Sequence, residues 1–158
     1  MNLRVALDAN LLLLLVVGAS SRDWIAGHKR LRQYDAEAYD LLIKVIAGAD
    51  KLLITPNVLT EVSNVLDWSV SEPRRSALRQ EFSDFVVSVC EVYHPSASAV
   101  VDPDFLVLGL ADCAWLGCIN AETVLLTDDL LLFSAAVSRG SIAFNFTHLR
   151  MEAGLLPM

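Results

Sequence analysis

The sequence is poor in cysteine and has no long apolar run. It contains three cysteines in 158 residues, and this small, odd number cannot build a disulfide framework or a four-cysteine zinc site. We therefore interpret the cysteines as reduced thiols and expect a cytoplasmic protein. The longest uninterrupted stretch of strongly apolar residues covers positions 11–17, far fewer than the roughly 18 residues of a membrane-spanning helix. No membrane segment is predicted.

Positive charge is also scarce. Lys and Arg number 12 against 19 Asp and Glu, so the net charge is −7. This balance excludes a nucleic-acid binder that is basic over its whole surface, but it leaves room for a local basic patch. Hydrophobic residues make up 54% of the chain and charged residues 20%, which excludes intrinsic disorder. The length fits one domain, predicted at residues 1–150, with a C-terminal tail at residues 151–158.

Short apolar segments alternate with helical patterns along the chain. Strands are predicted at residues 3–7, 52–54, 86–93, 123–126 and 142–144. Helices are predicted to open at Asp35, at Thr55-Pro56 and near Pro73, and to cover residues 104–119 and 130–137. This alternation predicts a three-layer α/β/α sandwich around a mostly parallel sheet of about five strands. Ligands bind beyond the carboxyl ends of such strands, which is where Asp8 and the Asp128-Asp129 pair fall.

Several acidic residues stand alone in apolar segments. Asp8, Glu61 and Asp112 are each the only charge in a long apolar window, and Asp128 and Asp129 are the only charges between Thr123 and Ser138. Asp112 lies four residues after Leu108 and three before Trp115, which places it on the face of a helix that should enter the core. Glu61, three residues after Val58, is likewise predicted on the buried side of its helix.

Burying several carboxylates together needs compensation. Two unit charges about 4 Å apart cost roughly 4 kcal/mol at an effective dielectric of about 20. A bound divalent cation removes this repulsion, and a set of oxygen ligands favours Mg²⁺ or Mn²⁺ over zinc. The alternative is that each acid is satisfied separately by backbone amides, since an Asp at the start of a helix is an ordinary cap. We favour a shared acidic site, because the acids are many and widely spaced along the chain.

Four motifs resemble those of the PIN-domain family of metal-dependent nucleases, and they occur in the family's order. They read VALDAN at residues 5–10, TPNVLTEV at 55–62, LGLADCA at 108–114 and VLLTDD at 124–129. The resemblance implies strand order 3-2-1-4-5. It also implies that Asp8, Glu61, Asp112 and Asp129 are the catalytic acids and hold one or two Mg²⁺ or Mn²⁺ ions. The spacing of the last motif favours Asp129, with Asp128 as the other candidate ligand.

The resemblance further implies a ribonuclease that hydrolyses phosphodiester bonds. Asn10 and Thr127 would support the acids by hydrogen bonding. Many such domains are toxins that a partner antitoxin neutralises, and homodimers are common in the family, so both partners are expectations here. The residue after Asp129 is Leu130, where the family more often has a polar or basic residue, and this departure puts the toxin role in question.

Two basic stretches are candidates for binding RNA. Lys29, Arg30 and Arg32 form the first, and Arg74 and Arg75 belong to the second; the alternative is that both are ordinary solvated surfaces. Three other functions remain open: a PIN-like module that binds RNA or protein without catalysis, a haloacid-dehalogenase-type phosphatase and a receiver domain. The phosphatase would need an Asp at the position of Asn10, and the receiver domain a Lys after a late strand.

Overall fold

The computed structural model describes residues 2–157 and is built on a five-stranded sheet. The strands are β1 (Arg4–Leu7), β2 (Lys51–Ile54), β3 (Cys90–Glu91), β4 (Thr123–Thr127) and β5 (Ile142–Asn145). Their order across the sheet is β3-β2-β1-β4-β5, and every neighbouring pair is parallel. The predicted three-layer α/β/α fold and the predicted strand order are therefore confirmed.

Helices connect the strands. They are α1 (Ala9–Ser20), α2 (Ala36–Ile46), α3 (Pro56–Val65), α4 (Arg74–Ser88), α5 (Ser96–Ala99), α6 (Phe105–Leu108), α7 (Leu110–Cys118), α8 (Leu130–Ser138) and α9 (Phe146–Glu152). The predicted starts of α2 and α3 are confirmed. The side chain of Asp35 accepts a hydrogen bond from the Ala38 amide, and that of Thr55 accepts one from the Val58 amide.

Helix α1 lies at the centre of the core. Its residues 11–18 are all buried, and the helix packs against α2, α3 and α4. A helix that is apolar on every side has to be enclosed by other elements, and each fully buried leucine contributes about 1.5–3 kcal/mol relative to an exposed one. The apolar run at residues 11–17 is thus an enclosed helix of the core, which also packs on β4.

The predicted helix over residues 104–119 is wrong in one respect, because Gly109 breaks it into α6 and α7. Gly109 has a φ of 81° and a ψ of −176°, a conformation that is essentially restricted to glycine. A single glycine inside a helical pattern is often tolerated, so the sequence did not indicate the break. Asp112 therefore lies in the first turn of a separate helix, α7.

The predicted third strand is also shorter than expected. Helix α4 continues to Ser88, and within residues 86–93 only Cys90–Glu91 pairs with β2. Phe82 and Phe85 on α4 pack against the core, and this packing keeps the valine-rich end of the helix from becoming a strand. After β3 the chain enters the short helix α5 at Ser96.

The last described helix crosses the predicted boundary between the domain and its tail. Helix α9 ends at Glu152, and Arg150 within it is 4% exposed and donates a hydrogen bond to the Gln33 carbonyl at 2.8 Å. At least the first two residues of the predicted tail thus continue an element that packs on the domain. Within residues 2–157, no helix has both the length and the apolar character to cross a membrane.

We expect a Gly109→Ala variant to be less stable by about 1–3 kcal/mol, because alanine disfavours this backbone conformation. At this chain length the change corresponds to a melting temperature lower by roughly 2–10 °C in thermal unfolding followed by circular dichroism. A Cβ at position 109 meets no atom within 4 Å, so the loss of stability comes from the backbone conformation and not from a steric clash. Gly48→Ala is the matched control, since Gly48 has equal space and no positive φ. Equal melting temperatures for the two variants would contradict the assignment.

Candidate functional site

Asp8 stands where β1 ends and α1 begins, and its carboxylate is held by three donors. Oδ1 accepts a hydrogen bond from the Leu11 amide at 2.9 Å, which caps α1. Oδ2 accepts from Thr127 Oγ1 at 2.6 Å and from the Asp128 amide at 2.7 Å. The parallel pairing of Leu7 with Leu126 places Thr127 beside Asp8. Asp8 is only 7% exposed, and burial raises its pKa against the opposing effect of these hydrogen bonds.

Asp112 is half-buried in the first turn of α7, and among the described residues no hydrogen bond contributes to its pKa. Burial raises the pKa of Asp112 to about 7, and the negative charges of Asp129, Asp8 and Glu61 add to the rise. The other three acids are therefore close enough to act on Asp112 electrostatically. Asp112 is thus the acid whose ionisation is opposed by the charges of all three other acids.

Glu61 is not on the buried side of α3, contrary to the prediction. Its side chain is 46% exposed, whereas Val58 and Val62 form the buried stripe of the helix. Glu61 lies beside the buried face of α3 that Val58 and Val62 form. Its carboxylate therefore stays at the surface and does not enter the core. Its nearest cation is Arg30, with 3.9 Å between Nη2 and Oε1.

The two adjacent acids after β4 have different partners. Asp128 Oδ2 accepts from the Tyr34 hydroxyl at 2.6 Å, and Oδ1 accepts from the amide and the hydroxyl of Thr147. Asp129 Oδ1 accepts from the amides of Leu131 and Leu132 at 2.8 and 2.9 Å and so caps α8. Within residues 2–157, Asp129 but not Asp128 lines the pocket that contains the other acids.

That pocket, here called the acidic pocket, has a volume of about 320 Å³ and lies at the carboxyl edge of the sheet. Its polar lining consists of Asp8, Asn10, Glu61, Asp112 and Asp129. Val58, Leu110 and Trp115 contribute to its apolar wall. The acids that the sequence singles out thus converge in space, except for Asp128. Thr127 donates to Asp8, whereas no hydrogen bond from Asn10 to Asp8 is found among the described residues.

The acids share a pocket but do not form a preassembled metal centre. Among residues 2–157, no group of three or more His, Cys, Asp or Glu side chains is placed closely enough to hold a metal ion. The donor set nevertheless suits Mg²⁺ or Mn²⁺, because all four side chains offer carboxylate oxygens. Glu61 is exposed, so its side chain has room to move toward a cation, while Asp8 and Asp129 are held by hydrogen bonds from backbone amides.

A second pocket adjoins the first and has the opposite charge. This basic pocket, about 300 Å³ in volume, is lined by Asn10, Lys29, Arg30, Arg32 and Gln33. Asn10 lines both pockets, so the two are neighbours. The first predicted basic stretch therefore lies directly beside the acids. Gln33 was not identified from the sequence, since an exposed glutamine in a loop carries no distinctive signal.

The loop that forms the basic pocket is anchored at both ends. The Nε2 of buried His28 donates to the Leu66 carbonyl at 2.8 Å, and its Nδ1 accepts from the Arg30 amide at 3.2 Å. At the other end, Arg150 donates to the Gln33 carbonyl at 2.8 Å. These bonds to distant elements hold the loop and its cations beside the acids.

The second predicted basic stretch does not line either pocket. Arg75 pairs with Glu72 at 3.1 Å, and Arg79 pairs with Asp67 at 2.6 Å. The guanidinium of Arg74 lies 5.2 Å from the centre of the Trp24 ring. Two of these three cations are thus neutralised by neighbours, and their contribution to RNA binding stays a prediction.

A larger cavity of about 770 Å³ lies elsewhere, between α1, α2, α4 and the β2–β3 side of the sheet. Leu15, Ile46 and Phe85 are among its mainly apolar lining residues, and it contains none of the site acids. Chemistry, and not size, therefore identifies the acidic pocket as the candidate site.

No protein-family model matches the chain, and a search of curated proteins found no significant match.

We expect the metal-free protein to lose stability as the pH rises from about 4 to above 7, in part through Asp112. The pKa of this carboxyl is near 7 in the folded chain against 3.8 in the unfolded one. The folded state therefore favours the protonated form, and that contribution disappears as the pH passes the folded pKa.

Thermal unfolding with EDTA at pH 5 and pH 8 tests this expectation. Asp112→Asn should raise the melting temperature at pH 8 by roughly 2–4 °C, the shift that about 1 kcal/mol causes at this size, and by less at pH 5, where the folded carboxyl is still protonated. Asp23→Asn, at an exposed acid outside the pocket, serves as the control. A loss of stability in the Asp112→Asn variant at pH 8 would show that the carboxylate is not repelled there.

Proposed function

We propose that this chain is a Mg²⁺- or Mn²⁺-dependent nuclease that hydrolyses the phosphodiester bonds of RNA. The observation that carries the proposal is the meeting of four carboxylates in one pocket at the carboxyl edge of the sheet. Their repulsion is costly to the folded chain unless a cation is bound. The preference for RNA is supported by the motif resemblance to PIN domains.

Each acid has a distinct part in this proposal. Asp8, fixed by three hydrogen bonds, provides a rigid carboxylate at the base of the pocket. Asp112, Glu61 and Asp129 complete the ligand set. Asp129 is preferred over Asp128 because Asp129 lines the acidic pocket, whereas both oxygens of Asp128 accept hydrogen bonds from Tyr34 and Thr147. A divalent cation bound there would neutralise phosphate charge and activate water. Thr127 holds the orientation of Asp8 through its hydroxyl.

The basic pocket provides the complementary charge. Lys29, Arg30 and Arg32 line it, and Asn10 joins it to the acids. A chain with a net charge of −7 repels RNA as a whole, so phosphates have to be held by a local cluster of cations. The position of the pocket lets it bind the strand on one side of the bond that is cleaved.

Partners belong to the same proposal on the strength of the resemblance. Homodimers are common in the family and many members are toxins that a partner antitoxin neutralises, and a cytoplasmic location agrees with both. The competing function is a PIN-like module that binds RNA without cutting it. One observation favours this non-catalytic module. Within residues 2–157, the acids are too far apart to provide a preformed group of three metal ligands.

We expect Mg²⁺-dependent cleavage of a single-stranded RNA to fall by about 100-fold or more in the Asp112→Asn variant, since changes even behind metal ligands cost roughly 10–100-fold. Gel analysis of a labelled oligonucleotide measures this, and Asp23→Asn should cleave like the wild type. In parallel, Mg²⁺ at about 100 times its Kd should stabilise the wild type by about 2.7 kcal/mol. The variant should gain much less. Absence of both cleavage and magnesium stabilisation in the wild type would favour the non-catalytic module.

We expect Arg32→Ala to weaken RNA binding and to reduce its salt dependence. Loss of one phosphate contact lowers the slope of log K against log salt by about 0.7 for a single strand. Fluorescence anisotropy in EDTA at several salt concentrations gives this slope. Lys44→Ala, at an exposed lysine in the last turn of α2, should leave it unchanged. Equal slopes for Arg32→Ala and the wild type would remove the basic pocket from the RNA path.

A further inference from the structure

A large aromatic side chain is exposed next to the basic pocket. Trp68 follows α3, and 54% of its surface is open to solvent. The ammonium of Lys29 lies 5.8 Å from the centre of its ring, within the range of a cation–π contact. Lys29 also lines the basic pocket. One lysine thus connects the indole ring to the cluster of cations.

The anchoring of the loop fixes this arrangement. His28 donates to the Leu66 carbonyl, two residues before Trp68, and so holds Lys29 beside the ring. From Lys29 the surface continues along the basic pocket to Asn10, which also lines the acidic pocket. The acids, the cations and the aromatic ring are therefore neighbours in turn, joined by Asn10 and by Lys29.

Two other aromatic side chains show what is particular about Trp68. Trp24 is half-buried, and the cation over its ring, Arg74, does not line the basic pocket. Tyr93 is 72% exposed, but its hydroxyl donates to Glu91 at 2.8 Å, where a phosphate would be repelled. Trp68 combines wide exposure with a cation that lines the basic pocket.

We infer that Trp68 is a stacking site for a base of single-stranded nucleic acid whose phosphates lie along the basic pocket. The inference rests on the proposed function and adds the form of the substrate and a residue that recognises it. Every base has a face that can stack on an indole ring, and a positive groove beside aromatic side chains is the usual way to bind a single strand. Bases in a duplex are stacked on each other and cannot use the ring. A base on Trp68 would bring its phosphate within reach of Lys29.

Anisotropy titration of a fluorescein-labelled single-stranded RNA decamer in EDTA tests this inference. Trp68→Ala should weaken binding by about 5-fold or more, the smallest loss expected for one stacked base, and Trp68→Phe should retain most of the affinity. The effect of Trp68→Ala should persist when salt is raised, because stacking is not screened. The effect of Arg32→Ala should fade.

Tyr93→Ala is the matched control, since it removes an exposed aromatic ring that has an acid beside it. It should bind the decamer like the wild type. With a blunt-ended RNA duplex, in which every base is paired, Trp68→Ala and Trp68→Phe should bind like the wild type. Circular dichroism checks that Trp68→Ala is folded. Equal affinity of Trp68→Ala and wild type for the decamer, or an equal loss on the duplex, would overturn the inference.

Cleavage of the same decamer in Mg²⁺ separates this inference from the proposed function. Trp68-dependent binding without any cleavage would support the stacking site and contradict the nuclease. Cleavage combined with Trp68-independent binding would support the nuclease and contradict the stacking site. The same titration with a decamer of single-stranded DNA tests whether the 2′-hydroxyl of RNA is needed. If Trp68→Ala weakens binding of the DNA as well, the ring recognises unpaired bases in general. If it weakens binding of the RNA alone, recognition also needs the 2′-hydroxyl.

Discussion

The hydrogen bonds that fix Asp8 connect the candidate site to the fold. Thr127 and the Asp128 amide donate from the end of β4, and the Leu11 amide donates from the start of α1. One carboxylate thus joins the two central strands to the helix that fills the core. Because residues 11–18 of α1 are all buried, the position of Asp8 is set by the core of the molecule. The other acids are arranged around a fixed point.

The rest of the acidic pocket is governed by repulsion that the folded chain does not relieve. Asp112 is half-buried and has a raised pKa, while Glu61 and Asp129 are exposed at the rim. Arg30 is the cation nearest to Glu61, and at 3.9 Å between exposed groups it contributes little. Such an arrangement costs stability, in line with the general finding that functional sites depart from the optimum for folding.

The fold was predictable because its signals are local, whereas several features of the site depend on distant contacts. Alternating strands and helices, caps and isolated acids are visible along the sequence. The exposure of Glu61 was missed, because a helical pattern does not say how wide the buried stripe is. The break at Gly109 was missed, because a single glycine is compatible with a continuous helix as well as with a break. The separation of Asp128 from the acidic pocket depends on Tyr34 and Thr147, which are 94 and 19 residues away.

Asp128 and Asp129 are adjacent in sequence but have different hydrogen-bond partners, and this difference affects how a mutation at Asp128 should be interpreted. Asp128 joins the β4–α8 turn to Tyr34, next to the basic loop, and to Thr147 at the start of α9. Burial and the Asp128 carboxylate hold the pKa of Tyr34 far above its usual range, so the phenol stays a donor. Replacing Asp128 would therefore disconnect three parts of the scaffold at once. An inactive Asp128 mutant would then report a loosened framework and not a missing reactive group.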